Sequence, residues 1–163
     1  MSSSPANPAN ALAAWESIPR LVHALVDDRS EAELDARADP KTMTPRELVH
    51  HIAEANVVAA SIVIAALGSP GCVYDWSWMV PAPPWMERLA YGAKPIAPAL
   101  ALVDALNAYV AAQIRPLADG LQRTVQLRDA PGGPLRTATV ADVLAAEAEH
   151  ARHHVDEWRA ALR

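Results

Sequence analysis

Phenylalanine is absent from this chain of 163 residues, and cysteine occurs once, as Cys72. A single thiol excludes an internal disulfide and any zinc site built on several cysteines, which leaves histidine and carboxylate as the groups able to hold a metal. Without phenylalanine, five tryptophans and three tyrosines form the whole aromatic complement. Lys and Arg number 14 against 19 Asp and Glu, a formal net charge of −5, and no long basic run occurs; nucleic acid is therefore not an expected partner. The N-terminus, MSSSPANPANALAAW, offers neither the positive leader nor the continuous apolar segment of a secretory signal. The most apolar stretch, VVAASIVIAALG, is too short to span a bilayer, so no membrane partner is expected and the expected location is cytoplasmic. No Gly-x-Ser-x-Gly occurs, and DAPGGP lacks the lysine and hydroxyl residue of a phosphate-binding loop.

What remains is alanine-rich and helical in period, of a length that suits one domain over residues 1–163, with 1–10 a loose Pro- and Ser-containing leader. Ala14, Ile18, Leu21, Val22 and Leu25 predict a first helix from about Ala11 to Asp28, and Pro19 inside it should kink or split it. A polar stretch, DDRSEAELDARADPKTM, reads as a short helical turn and a loop. Thr44-Pro45-Arg46-Glu47 is a helix start, with an N-cap hydroxyl, proline at the first position and glutamate at the third, for a second helix ending near Leu67 at GSPG. Residues 68–94 carry Trp76, Trp78, Pro81, Pro83, Pro84 and Trp85 and read as a long connection. A third helix is expected over Ala97–Leu117, with Leu100, Val103, Leu106 or Asn107, Val110 and Ile114 on its apolar face. Two β-prone runs flank Pro-Gly-Gly-Pro and suggest a short hairpin or an extended loop, and Thr139 caps a fourth helix reaching about Ala161. The expected fold is all-α, a four-helix bundle.

The histidines concentrate in two places, VHHIAEAN and EHARHHVDEW. Residues three, four and seven apart share a helix face. His51 falls on the apolar stripe of Leu48, Ala55, Val58 and Ile62, whereas His50 falls on a polar line with Glu47, Glu54 and Ser61. His150 and His154 share a stripe with Val140, Val143 and Glu147; His153 lies about 100° round from His154, near Glu149 and Asp156, on the solvent side. His51, His150 and His154 are therefore expected to point inward. Each buried imidazole needs partners for its nitrogens. One divalent cation satisfies all three, and three nitrogen ligands leave coordination positions open, as in a catalytic site. Glu54, Glu147 and Glu149 are candidate acceptors for the remaining ring nitrogens, and Glu54 is also a candidate for the open side of the metal. The alternative is a solvated patch at a helix end.

At MTPRELVHHIAEAN and TVADVLAAEAEHARHHVDEW the sequence resembles the DinB/YfiT family of four-helix metalloproteins. The resemblance also takes in the proline within WESIPRLVHAL. It matches His51, His150 and His154 to the family's three ligands, and sets Glu54 where the family commonly has aspartate. It implies a divalent metal, zinc or nickel, at one end of the bundle, a small-molecule substrate and a homodimer.

Three activities follow as expectations. The first is a transferase using a low-molecular-weight thiol, in which the metal lowers the thiol pKa and Glu54 is the catalytic base or a positioning group. The second is a metal-dependent hydrolase, with Glu54 or Glu147 as base. The third is a non-catalytic metal-binding or dimerising module. Trp76, Trp78 and Trp85 either wall a substrate pocket or pack the long connection onto the bundle. His23, in line with Glu16 and Asp27, is expected to be solvated, and Cys72 to be an ordinary thiol.

Overall fold

The computed structural model describes residues 8–79 and 83–162. Four long helical units enclose the core. The first is split in two, α1 (Pro8–Glu16) and α2 (Ile18–Val26), so helix begins three residues earlier than expected and the loose leader is shortened; residues 1–7 and Pro81 lie outside the described residues. The split falls at Ser17, and Pro19 sits in the first turn of α2, where its missing N–H would have had no intrahelical partner. After the short α3 (Glu31–Leu34) comes α4 (Pro45–Gly68), opened by the expected capping box. Thr44 accepts from the Glu47 amide at 3.2 Å, and Glu47 accepts from the Thr44 amide at 2.9 Å.

The long connection is more ordered than its prolines suggest. It contains strand β1 (Val73–Asp75), helix α5 (Pro83–Arg88) and a 3-10 turn at Tyr91–Ala93, before α6 (Ala97–Ile114). The hairpin is present as β2 (Thr124–Arg128) and β3 (Leu135–Thr139), antiparallel with Thr124 opposite Thr139. Its turn includes Gly132 at φ +66°, a conformation suited to glycine. β1 adds in parallel to β2, Val73 opposite Gln126, and makes a three-stranded sheet. An ion pair between Arg128 and Asp75 at 3.0 Å reinforces that pairing. Helix α7 (Val140–Ala161) then starts from a second capping box, Thr139 with Asp142.

The packing order closes a ring: α1 and α2 lie against α7 and α6, and α4 lies against the same two helices from the other side. Trp15, Ile18, Leu48, Ile52, Val103, Leu144 and Val155 are buried in one continuous apolar cluster. By length and composition α4 and α6 would each suffice to cross a membrane; in this structure both pack within the bundle, and just over half of the apolar stretch of α4 is buried there.

Candidate metal centre

The stripes predicted on α4 and α7 face each other, yet they do not close into solid core. Between them lies a cavity of about 450 Å³, lined from α4 by His51, Ala55, Val58 and Ile62 and from α7 by Val143, Glu147, His150 and His154. Alternation along β2 turns Leu127 inward to a third wall, and Trp76 and Met79 from the long connection supply a fourth. Arg136 and Asp142 bring the charge on this lining that does not belong to the histidine cluster and Glu147. Arg136 is paired with Asp129, which also accepts from the Trp76 indole at 2.7 Å.

The three inward histidines meet in this cavity. Nε2 of His51 lies 3.0 Å from Nε2 of His150 and 3.2 Å from Nε2 of His154, and the last two are 3.1 Å apart. Such a triangle is unstable for bare imidazoles. If all three nitrogens carry lone pairs, these face one another; if protons are added, like charges sit together. A cation resolves both, and nitrogens each bound at about 2.0–2.1 Å from one ion stand about 3 Å apart. The donor set therefore fits a divalent metal with sites left open. His51 is only 4 % exposed, and burial, then the neighbouring His150 and His154, push its pKa down to about 3. His154 is shifted down too, first by burial and then by His150, against the opposing pull of Glu157. Both are thereby held neutral, the form that ligates.

The second ring nitrogens differ. His150 Nδ1 lies 3.3 Å from Glu147 Oε2, and His154 Nδ1 lies 3.3 Å from the half-exposed Glu157. The first of these is a close electrostatic contact rather than an aligned hydrogen bond. His51 Nδ1 is buried with no hydrogen-bond partner among the described residues. Glu147 also accepts from Asn56 Nδ2 at 2.9 Å. Asn56 and the Asn107 behind it, fully buried, were not among the expected site residues. The signal that would have found them is an amide at a position where the helix period demands an apolar side chain.

Glu54 is placed elsewhere. Its carboxylate accepts from Trp85 Nε1 at 2.9 Å and from the Tyr91 hydroxyl, and it does not line the cavity. That contact, with burial as the larger cause, shifts the Tyr91 pKa upward. His50 stacks on Tyr91 on the same side of α4, its pKa lowered by burial. Of the tryptophans, Trp76 walls the cavity, whereas Trp85 packs the connection and Trp78, 66 % exposed, leans on it. His153 is exposed and paired with Glu157, not with Glu149 or Asp156. His23 bridges Asp104 at 3.2 Å and Asp27 at 3.5 Å and is not part of the triad. Glu149 is exposed and pairs with Arg152.

A four-helix bundle with one long connection, a small sheet and three convergent imidazoles in an apolar cavity defines the class: a helical protein with a histidine triad able to hold a metal ion. The chain belongs to the DinB superfamily, whose profile matches residues 14–157. Among solved structures it is similar to YfiT from Bacillus subtilis, described as a probable metal-dependent hydrolase with an unusual four-helix bundle topology. The similarity has a TM-score of 0.76 at 20 % sequence identity and covers 98 % of this chain and 88 % of that one, a likeness of fold. No curated protein matches the chain.

Proposed function

We propose that this protein is a cytoplasmic, metal-dependent transferase that joins a low-molecular-weight thiol to a small, largely apolar electrophile. The observation that carries the reading is the triangle of Nε2 atoms set in the wall of an apolar cavity. A divalent cation held there by three neutral imidazoles supplies Lewis acidity, which lowers the pKa of a thiol or a water that joins it. His51, His150 and His154 are the residues that hold it. Val58, Ile62, Leu127, Val143 and Trp76 offer the electrophile an apolar surface and exclude bulk water from the reacting atoms. Arg136, the only Lys or Arg on the lining among the described residues, is neutralised by its pair with Asp129, so the lining suits an uncharged electrophile.

Thiol transfer is favoured by the arrangement of carboxylates. A thiol, with an ordinary pKa of about 8.5, gives its proton to solvent far more readily than water does and so depends less on a general base, and the carboxylates of α4 and α7 already have partners. Glu54 serves Trp85 and Tyr91, and Glu147 serves Asn56 and His150. A hydrolytic reading is supported by the description of YfiT and by the same triad. The two separate in one experiment. Zinc- or nickel-loaded protein is assayed with a chromogenic electrophile across a panel of thiols, and with chromogenic esters and amides without thiol. Transfer predicts turnover that requires both thiol and metal and is abolished in His154→Ala. Turnover of esters or amides alone would replace it with hydrolysis, and a metal-loaded protein silent in both arms would overturn the enzymatic reading.

A further inference from the structure

We infer that Glu147, held by a buried line of two asparagines, Asn56 of α4 and Asn107 of α6, is the positioning residue that fixes the His150 ring as a metal ligand. The inference rests on the metal reading of the triad. Glu147 sits one turn before His150 on α7 and is only 9 % exposed. Its Oε1 accepts from Asn56 Nδ2 of α4 at 2.9 Å. Asn56 Oδ1 in turn accepts from Asn107 Nδ2 of α6 at 2.7 Å. Asn107 Nδ2 also donates to the Val103 carbonyl at 2.8 Å, and Trp15 Nε1 of α1 donates to the Asn107 carbonyl at 3.2 Å. Asn56 and Asn107 are 0 % and 2 % exposed, in an interior built mostly from alanine, valine, leucine and isoleucine. Polar groups are retained at such depth at a cost, so their direction is informative.

The direction is set by donor and acceptor chemistry. Asn107 presents its NH2 to Asn56, which obliges Asn56 to face it with oxygen and to turn its own NH2 to Glu147. Glu147, an acceptor at both oxygens when ionised, then offers Oε2 to His150 Nδ1, 3.3 Å away. A proton is thereby favoured on Nδ1, and the Nε2 lone pair is left facing His51 and His154 inside the cavity. Of the three ligands only His150 has a buried carboxylate at its outer nitrogen: Glu157 beside His154 is half-exposed, and His51 Nδ1 has no partner among the described residues.

The test exploits this polarity. Glu147→Gln preserves shape, but the introduced amide must spend its oxygen on the Asn56 NH2 and so aims its own NH2 at His150. That favours the lone pair on Nδ1 and the proton on Nε2, the tautomer that cannot ligate. Zinc affinity, measured by competition with a chromophoric chelator, should fall about 10–100-fold while circular dichroism and the metal-free melting curve stay close to wild type. Asn56→Asp combined with Glu147→Gln moves the carboxylate one step back along the line. The glutamine NH2 then donates to the carboxylate introduced on α4 and its oxygen returns to His150, so zinc affinity should recover to within a few fold of wild type. A residue that merely fills space predicts neither the loss nor the rescue. Wild-type affinity in Glu147→Gln, or a double variant that folds and binds no better than the single one, overturns the inference. Should the single variant fail to fold, the double variant decides alone, by near-wild-type or lost affinity. Failure of the wild-type protein to bind zinc removes the metal reading itself, and the inference with it.

Discussion

Single residues set the charge balance of the site. The sequence exposed His51, His150 and His154 because the helical period alone separates His51 from His50 and His154 from His153. It could not show what each ring's second nitrogen meets, because those partners depend on side-chain reach: Glu147 remains beside its helix neighbour, whereas Glu54 is claimed by Trp85 and Tyr91 from a segment without regular period. The depressed pKa of His51 has a consequence for the protein without metal. Its folded value of about 3 lies below the unfolded value, near 6.5. Below pH 6.5 the unfolded chain therefore binds a proton that the folded chain refuses, and stability falls as pH drops from about 6.5 toward 3, by at most about 1.4 kcal/mol per pH unit from this residue. Above pH 6.5 the residue contributes no slope. Melting curves of chelator-treated protein between neutral and mildly acid pH check this: the melting temperature should fall with pH, and less steeply in His51→Leu.

Among the elements, the capped helices were legible and the parallel strand was not. Thr44 and Glu47, or Thr139 and Asp142, satisfy each other within four residues, so their chemistry is visible in local sequence. Val73–Asp75 is a strand only because Gln126–Arg128, more than fifty positions away, offers it an open edge. The same non-local logic governs α5 and the Tyr91 turn, which are docked through one carboxylate. Trp85 Nε1 and the Tyr91 hydroxyl both donate to Glu54, and Tyr91 is buried. Glu54→Leu leaves both donors without an acceptor, at a cost of about 1–3 kcal/mol, and should speed amide exchange across residues 83–94. Its zinc affinity should remain that of the wild-type protein, because Glu54 does not line the cavity. A large loss of zinc in that variant, with exchange unchanged, would return Glu54 to the role of a group acting at the metal.

For the whole molecule, the decisive feature is where the cavity lies relative to the bundle's closure. The sequence showed two apolar stripes and implied that they meet; it could not show that Trp76, Met79 and Leu127 complete a cavity beside them, since the sheet and the connection that carry these residues assemble from distant segments. The seam between α4 and α7 is therefore bridged at the cavity by the triad, with His51 on one helix and His150 and His154 on the other. A cation bound there links helices whose ligands are about a hundred residues apart in the chain, and the unfolded chain does not gather those ligands. Its binding energy then appears as folding stability, about 2.7 kcal/mol at a free metal concentration 100 times the dissociation constant. For a chain of this length that corresponds to a rise in melting temperature of about 5–10 °C. Zinc added to chelator-treated protein should produce this rise in a concentration-dependent way, and His150→Ala should abolish most of it. Hydrogen exchange should place the added protection on the cavity-facing turns of α4 and α7, with α6, which carries no ligand, protected only through global unfolding. Equal protection everywhere at low zinc, or a melting temperature indifferent to the metal, would mean that the ion does not bridge this seam.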